Sequence, residues 1–181
     1  MKRRGLLGWI VPISERPAEA EDRAVPGHWE GDLILGAVGK GAVITLVERH
    51  SRFLLLASLP ARHTALDLKA ELTPIIATLP AALRRSLTWD RGSEMAEHAN
   101  IAVDADIRIF FADPHSPWQR GSNENTNGLL RQYWPKGSDL RQLTHADTQH
   151  VADLLNTRPR QTLGWQNPAQ ALNEALRATA S

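Results

Sequence analysis

Asp32 sits in the middle of His28-Trp29-Glu30-Gly31-Asp32-Leu33-Ile34-Leu35, a run that reads as a β-strand. Side chains alternate along a strand, so His28, Glu30, Asp32 and Ile34 share one face and Trp29, Gly31, Leu33 and Leu35 the other. A strand interior is a poor place for aspartate, and an unpaired buried carboxylate is costly, so an arginine or a cation must compensate it. Asp90 poses the same problem, closing the apolar run Leu87-Thr88-Trp89 just before the turn Arg91-Gly92-Ser93. A third carboxylate, Glu124, falls in the first turn of a helix expected to open at Ser122, where the helix dipole tolerates negative charge. Three carboxylates in a chain without cysteine favour hard, six-coordinate Mg²⁺ or Mn²⁺. Such a site serves phosphoryl transfer, in which two ions flank the reacting phosphate and Asp32 is the natural bridging ligand. Spacing alone leaves a second reading open, because a chain with 20 acids offers many such triples and these three can equally be ion pairs and helix caps. Asn127 and Arg131 lie on the same helical face as Glu124 and are spaced to hold a phosphate, while Gly128 would let that helix approach a sheet closely.

The elements around these residues must bring them together. Three β-like runs, His28–Leu35, Ala42–Glu48 and Phe53–Leu59, follow one another through joins short enough to require an antiparallel meander. A helix is expected over Thr64–Leu79, bent or shortened by Pro74, then a strand over Ser86–Asp90, a helix from Ser93 to about Asn100 and a strand over Ile107–Phe111. After the loop Asp113–Gly121 come helices at Ser122–Trp134, Thr144–Asn156 and Pro168–Arg177. The order is α/β: a five-stranded mixed sheet, three strands antiparallel and two parallel, flanked by helices in the ribonuclease H-like order. If its first and fourth strands are neighbours, Asp32 and Asp90 meet across the sheet, and a shared cation would relieve both. Residues 1–27, interrupted by Pro12, Pro17, Pro26 and Gly27, read as an extended lead-in arm to a core over 28–181.

Composition narrows the classes further. A chain of 181 residues with 42% hydrophobic content suits one domain, and no apolar run is long enough to cross a bilayer. The start Met1-Lys2-Arg3-Arg4 imitates a secretory signal, but Pro12 breaks the apolar stretch behind it, so a cytoplasmic location is expected. The absence of cysteine removes disulfide frameworks, thiolate metal sites and cysteine nucleophiles. The net charge of +1 does not announce a nucleic-acid binder, yet the basic residues are mostly arginine, whose fork matches phosphate. Gly39-Lys40-Gly41 lacks the spacing of a phosphate loop and reads as a hairpin turn.

The segments Pro26 to Ile34, Leu87 to Met95 and Asp113 to Gly137 together resemble the catalytic domain of an IS30-family bacterial transposase, over about residues 14–172. The resemblance implies a DDE-type integrase core in which Asp32, Asp90 and Glu124 are the three acids and two Mg²⁺ or Mn²⁺ ions the cofactors. It implies hydrolysis of a phosphodiester at an element end, then attack of the freed 3′-hydroxyl on target DNA. The partners it implies are terminal inverted repeats, target DNA and a second copy of the chain, with a nucleoid location and neither membrane nor small-molecule substrate. Arg131 and Lys136 occupy positions that imply phosphate contacts. Such transposases carry an N-terminal helix-turn-helix region for which residues 1–27 offer no counterpart, so catalysis without specific end recognition is expected.

Several residues carry two readings. His115 either reaches DNA or stabilises its loop, and Trp118, Gln119 and Arg120 offer a base-stacking surface with a phosphate clamp unless Trp118 anchors the loop. His28, Glu30 and Asp32 could form a mixed metal site, against local structural partners for the first two. Glu94 reads as a helix-start or supporting residue, and the Trp165–Pro168 region as packing for a terminal helix. Two other readings are open: an inert DNA-binding or dimerising remnant, or a nuclease that only hydrolyses.

Overall fold

The computed structural model describes residues 3–5, 8–60 and 62–181; the signal-like start falls partly on residues 1, 2, 6 and 7, outside them. Its strands in chain order are β1 (Arg3–Gly5), β2 (Gly8–Ile10), β3 (His28–Leu35), β4 (Ala42–Glu48), β5 (Leu54–Leu59), β6 (Ser86–Trp89) and β7 (Arg108–Phe111). Its helices are α1 (Ala18–Glu21), α2 (Ala65–Ala77), α3 (His98–Asp104), α4 (Gly121–Leu130), α5 (His145–Asn156) and α6 (Pro168–Thr179). Strands β3 to β7 form a mixed sheet in the order β5-β4-β3-β6-β7, with β3, β4 and β5 antiparallel and β6 and β7 parallel to β3.

Every residue of β4 is buried, which requires cover on both faces of the sheet. On one face Trp29, Leu46, Trp89 and Phe111 pack with Leu68, Leu72 and Ile76, which recur every fourth residue along α2. On the other, Ile34, Val43, Val47 and Leu54 meet Leu130, Val151 and Leu155 from α4 and α5. Capping boxes start three helices: Thr64 with Asp67, Thr144 with Asp147, and Asn167 with Gln170. No described helix is long and apolar enough to cross a membrane.

The segment before His28, expected as an extended arm, is packed where it is described. Ile10 and Ala20 are buried, the Phe111 N–H donates to the Val11 carbonyl, and Arg16 Nη1 donates to Thr88 Oγ1 at 3.0 Å. Single side chains dock this stretch, so no periodic apolar pattern announces it. Two helix starts also differ from expectation. Ser93 opens only a short 3-10 turn ahead of α3, and α4 begins at Gly121, continuous with a 3-10 turn over Pro117–Arg120. Ser122 does not cap α4, because its hydroxyl accepts from Arg23 and Arg52 instead.

Candidate active site

The parallel register of β3 and β6 pairs Glu30 with Thr88, and Asp32 and Asp90 each follow two residues later, at the same level where the strands part. One oxygen of each is fixed by main chain: Asp32 Oδ1 accepts from the Leu33 N–H at 2.9 Å, and Asp90 Oδ1 from the Gly92 N–H at 2.9 Å. The other oxygens face a single guanidinium, with Arg120 Nη1 3.5 Å from Asp32 Oδ2 and Arg120 Nη2 3.5 Å from Asp90 Oδ2. Arg120 is itself buried and donates to the Gly31 carbonyl at 3.1 Å. Burial nonetheless pushes the Asp32 carboxyl above its usual range, against the pull of Arg120 and with a further push from Asp90. Burial raises Glu94 too, and Asp90 and Asp32 add to it. Glu94 thus belongs to the same electrostatic group, with its Oε1 accepting from Trp89 Nε1 at 3.3 Å.

Gly31 is what lets the two strands carry their acids side by side. A Cβ there would lie 2.1 Å from atoms of the Trp89 ring, which is fully buried next to Asp90. Gly31→Ala is therefore expected to cost about 1–3 kcal/mol by overpacking, read as a lower urea midpoint with unchanged slope, and to weaken activity by displacing Asp90.

Glu30 ties α4 to the sheet. Fully buried, it pairs with Arg49 through Oε1 and accepts the Asn123 N–H through Oε2 at 2.8 Å, while Asn123 Nδ2 donates to the Glu30 carbonyl at 3.0 Å. His28 bonds Ser86 and Glu19. The mixed metal site on this face therefore gives way to structural partners. Arg120, Glu124 and Asn127 follow one another at helical spacing of four and three, and Asn127 Nδ2 donates to Asp32 Oδ2 at 3.0 Å. Glu124 stands on this stripe with its side chain exposed. Among the described residues no three His, Asp or Glu side chains gather closely enough to hold an ion.

The remaining candidates scatter around this centre. A cleft of about 330 Å³ is lined by Asp90, Arg120 and the loop carrying His115. His115 is exposed at positive φ, Trp118 is 73% exposed, and Gln119 accepts from the Asp113 N–H at 2.8 Å, which stabilises the loop. Arg131 donates to the Leu35 carbonyl at 3.1 Å, and Lys136 is exposed. Gly128 faces open space, so close approach of α4 depends on Ser122, Asn123 and Thr126 instead. Trp165 is 68% exposed, and Pro168 alone of that pair packs.

Residues 22–117 match the family described as the integrase core domain. The chain is 51% identical, over 96% of its length, to the transposase for insertion sequence element IS1086 of Cupriavidus metallidurans, covering 51% of that protein. It is 43% identical over 98% of its length to transposase InsI for insertion sequence element IS30A of Escherichia coli, covering 47% of it. The chain thus spans about half the length of the curated relatives it matches. Among solved structures, the catalytic core domain of BIV integrase superposes with a TM-score of 0.62 at 18% identity, covering 86% of this chain and 99% of that one. At that identity the likeness is one of fold, the ribonuclease H-like fold.

Proposed function

This chain belongs to the integrase core domain family, and from that membership we propose that it is the catalytic core of a DNA transposase, cutting a phosphodiester at an element end and joining the 3′-hydroxyl to target DNA. The observation that carries the proposal is the convergence of Asp32 and Asp90, from adjoining parallel strands, on one positive group. The family generally uses divalent metals, and the donor set fits them: two carboxylates turned to one positive group, with the buried Asn127 Oδ1 beside Asp32 lacking any donor. Asp32, Asp90 and Glu124 would hold two such ions, Mg²⁺ or Mn²⁺. When bound, these ions supply Lewis-acid activation of the attacking oxygen and neutralisation of the leaving one.

The chain's own groups do the rest. Main-chain N–H groups fix the aspartate rotamers, so these two carboxylates are held in place ahead of the reaction. Arg120 supplies the neutralising charge between the two aspartates; with ions bound it would be free to turn toward phosphate, and Glu124 would have to turn in from solvent. Arg131, Lys136 and His115 contact the DNA backbone, Asn127 and Gln119 position Asp32 and the loop, and Trp118 offers a ring to an unstacked base. Two element ends require two copies of the chain, acting in the cytoplasm at the nucleoid.

The reading is tested with a labelled duplex bearing a free 3′-hydroxyl, a target plasmid and Mn²⁺. Joined product is expected. Cleavage without joining would reduce the protein to a hydrolysing nuclease, and the absence of both would overturn the proposal.

A further inference from the structure

The first turn of α4 gathers more positive charge than the acids account for. Arg23 Nη1 donates to Ser122 Oγ at 2.5 Å and to the Arg49 carbonyl at 2.9 Å, and Arg52 Nη1 reaches the same Ser122 Oγ at 3.2 Å. Arg160, in the segment between α5 and α6, is close enough to Arg52 to feel its charge, and its buried Nε has no acceptor. These guanidiniums come from three separate parts of the chain: the segment after α1, the β4–β5 turn and the segment after α5.

The nearby acids are committed elsewhere. Glu30 serves Arg49 and the Asn123 N–H, Glu48 accepts from the Gly27, His50 and Ser51 N–H groups, Glu21 pairs with Arg16, and Glu19 pairs with His28 and Arg85. Among the described residues neither Arg23 nor Arg52 has a carboxylate within ion-pair distance. Partial burial lowers the basicity of Arg23, Arg52 and Arg160, and neighbouring arginines add to it, against the pull of Glu30 on Arg23 and Arg52. Like charges held half-buried with no carboxylate in direct contact are better satisfied when an anion joins them, and the guanidinium fork is shaped for phosphate oxygens.

We propose that Arg23 and Arg52, which meet at Ser122, form a binding site for one phosphodiester of a nucleic-acid backbone, with Arg160 adding positive charge beside Arg52. Ser122 and Glu124 stand about 200° apart around α4, so the cluster lies on the side of this helix away from Asp32. A strand crossing the start of α4 meets the acids on one flank and the guanidiniums on the other. This rests on the reading that the substrate is DNA.

The test measures binding of a short labelled duplex by fluorescence anisotropy across a series of NaCl concentrations. It compares the wild-type chain, the pair Arg23→Gln with Arg52→Gln, the charge-keeping pair Arg23→Lys with Arg52→Lys, and Arg62→Gln as a control. Arg62 is exposed and lies just past the far end of β5 from the β4–β5 turn. The Gln pair is expected to bind roughly tenfold more weakly, with the slope of log affinity against log salt reduced by about 1. The Lys pair should keep the wild-type slope. If the Gln pair matches Arg62→Gln, or the Lys pair fails as the Gln pair does, the guanidiniums only brace Ser122 and the proposal falls while DNA binding stands. If the wild-type chain shows no salt-dependent binding, the DNA reading falls and the cluster with it.

Discussion

Asp32→Asn is expected to lower cleavage and joining by roughly a thousandfold or more, because it removes one of the carboxylates that would hold the ions. The same substitution should stabilise the metal-free protein near neutral pH. Burial holds the folded Asp32 carboxyl above its usual range, so in the folded state it keeps its proton to higher pH than in the unfolded chain. The folded state then binds more protons across that window, and stability falls as pH rises from the ordinary carboxylate value through the raised one. Glu94 contributes with the same sign. Asparagine cannot ionise, so the urea midpoint of the variant relative to wild type should grow as pH rises above the ordinary carboxylate value of about 4. A variant that turns over normally would remove Asp32 from the chemistry. A variant that loses stability as pH rises would mean that Arg120 overcompensates the carboxylate.

Glu30→Ala should be the most damaging substitution to the fold near the site. It strands the buried Arg49 without its carboxylate and frees the Asn123 N–H at the start of α4. Breaking a buried pair by removing one partner costs about 3–5 kcal/mol. Activity should fall as well, since the helix carrying Glu124 loses its tie to β3. The double change Glu30→Leu with Arg49→Met leaves no orphan charge and should recover much of the stability without recovering activity. Equal loss in the single and double variants would show that the hydrogen bond to the Asn123 N–H, lost in both, rather than the orphaned Arg49 charge, is what anchors the helix.

The sheet was legible because its strands are apolar runs punctuated by glycine and short polar joins; the expected bounds of His28–Leu35 and Ala42–Glu48 coincide with β3 and β4. Short joins implied the antiparallel meander, and the ribonuclease H-like element order implied β3 beside β6 and thereby Asp32 beside Asp90, as the sheet shows. Both aspartates stood out in the sequence as acids where the pattern called for apolar side chains. What escaped was made by individual polar contacts. Arg16 and Ala20 dock the segment before His28, Glu30 anchors α4, and Arg120 stands between the two aspartates rather than simply beside Trp118. No periodicity encodes such long-range pairings; a buried glutamate two residues before Asp32 was the one available signal, and alternation alone assigned it to the same face without naming a partner. Gly128 misled because glycine in a helix marks close approach only when something lies opposite it, and nothing does.

The most direct measurement is anomalous diffraction from a crystal of this chain soaked in Mn²⁺. The account predicts a peak between the side chains of Asp32 and Asp90, the Arg120 guanidinium moved aside and Glu124 turned inward. A well-diffracting crystal with Arg120 still lodged between the two aspartates, and manganese bound elsewhere or nowhere, would contradict it.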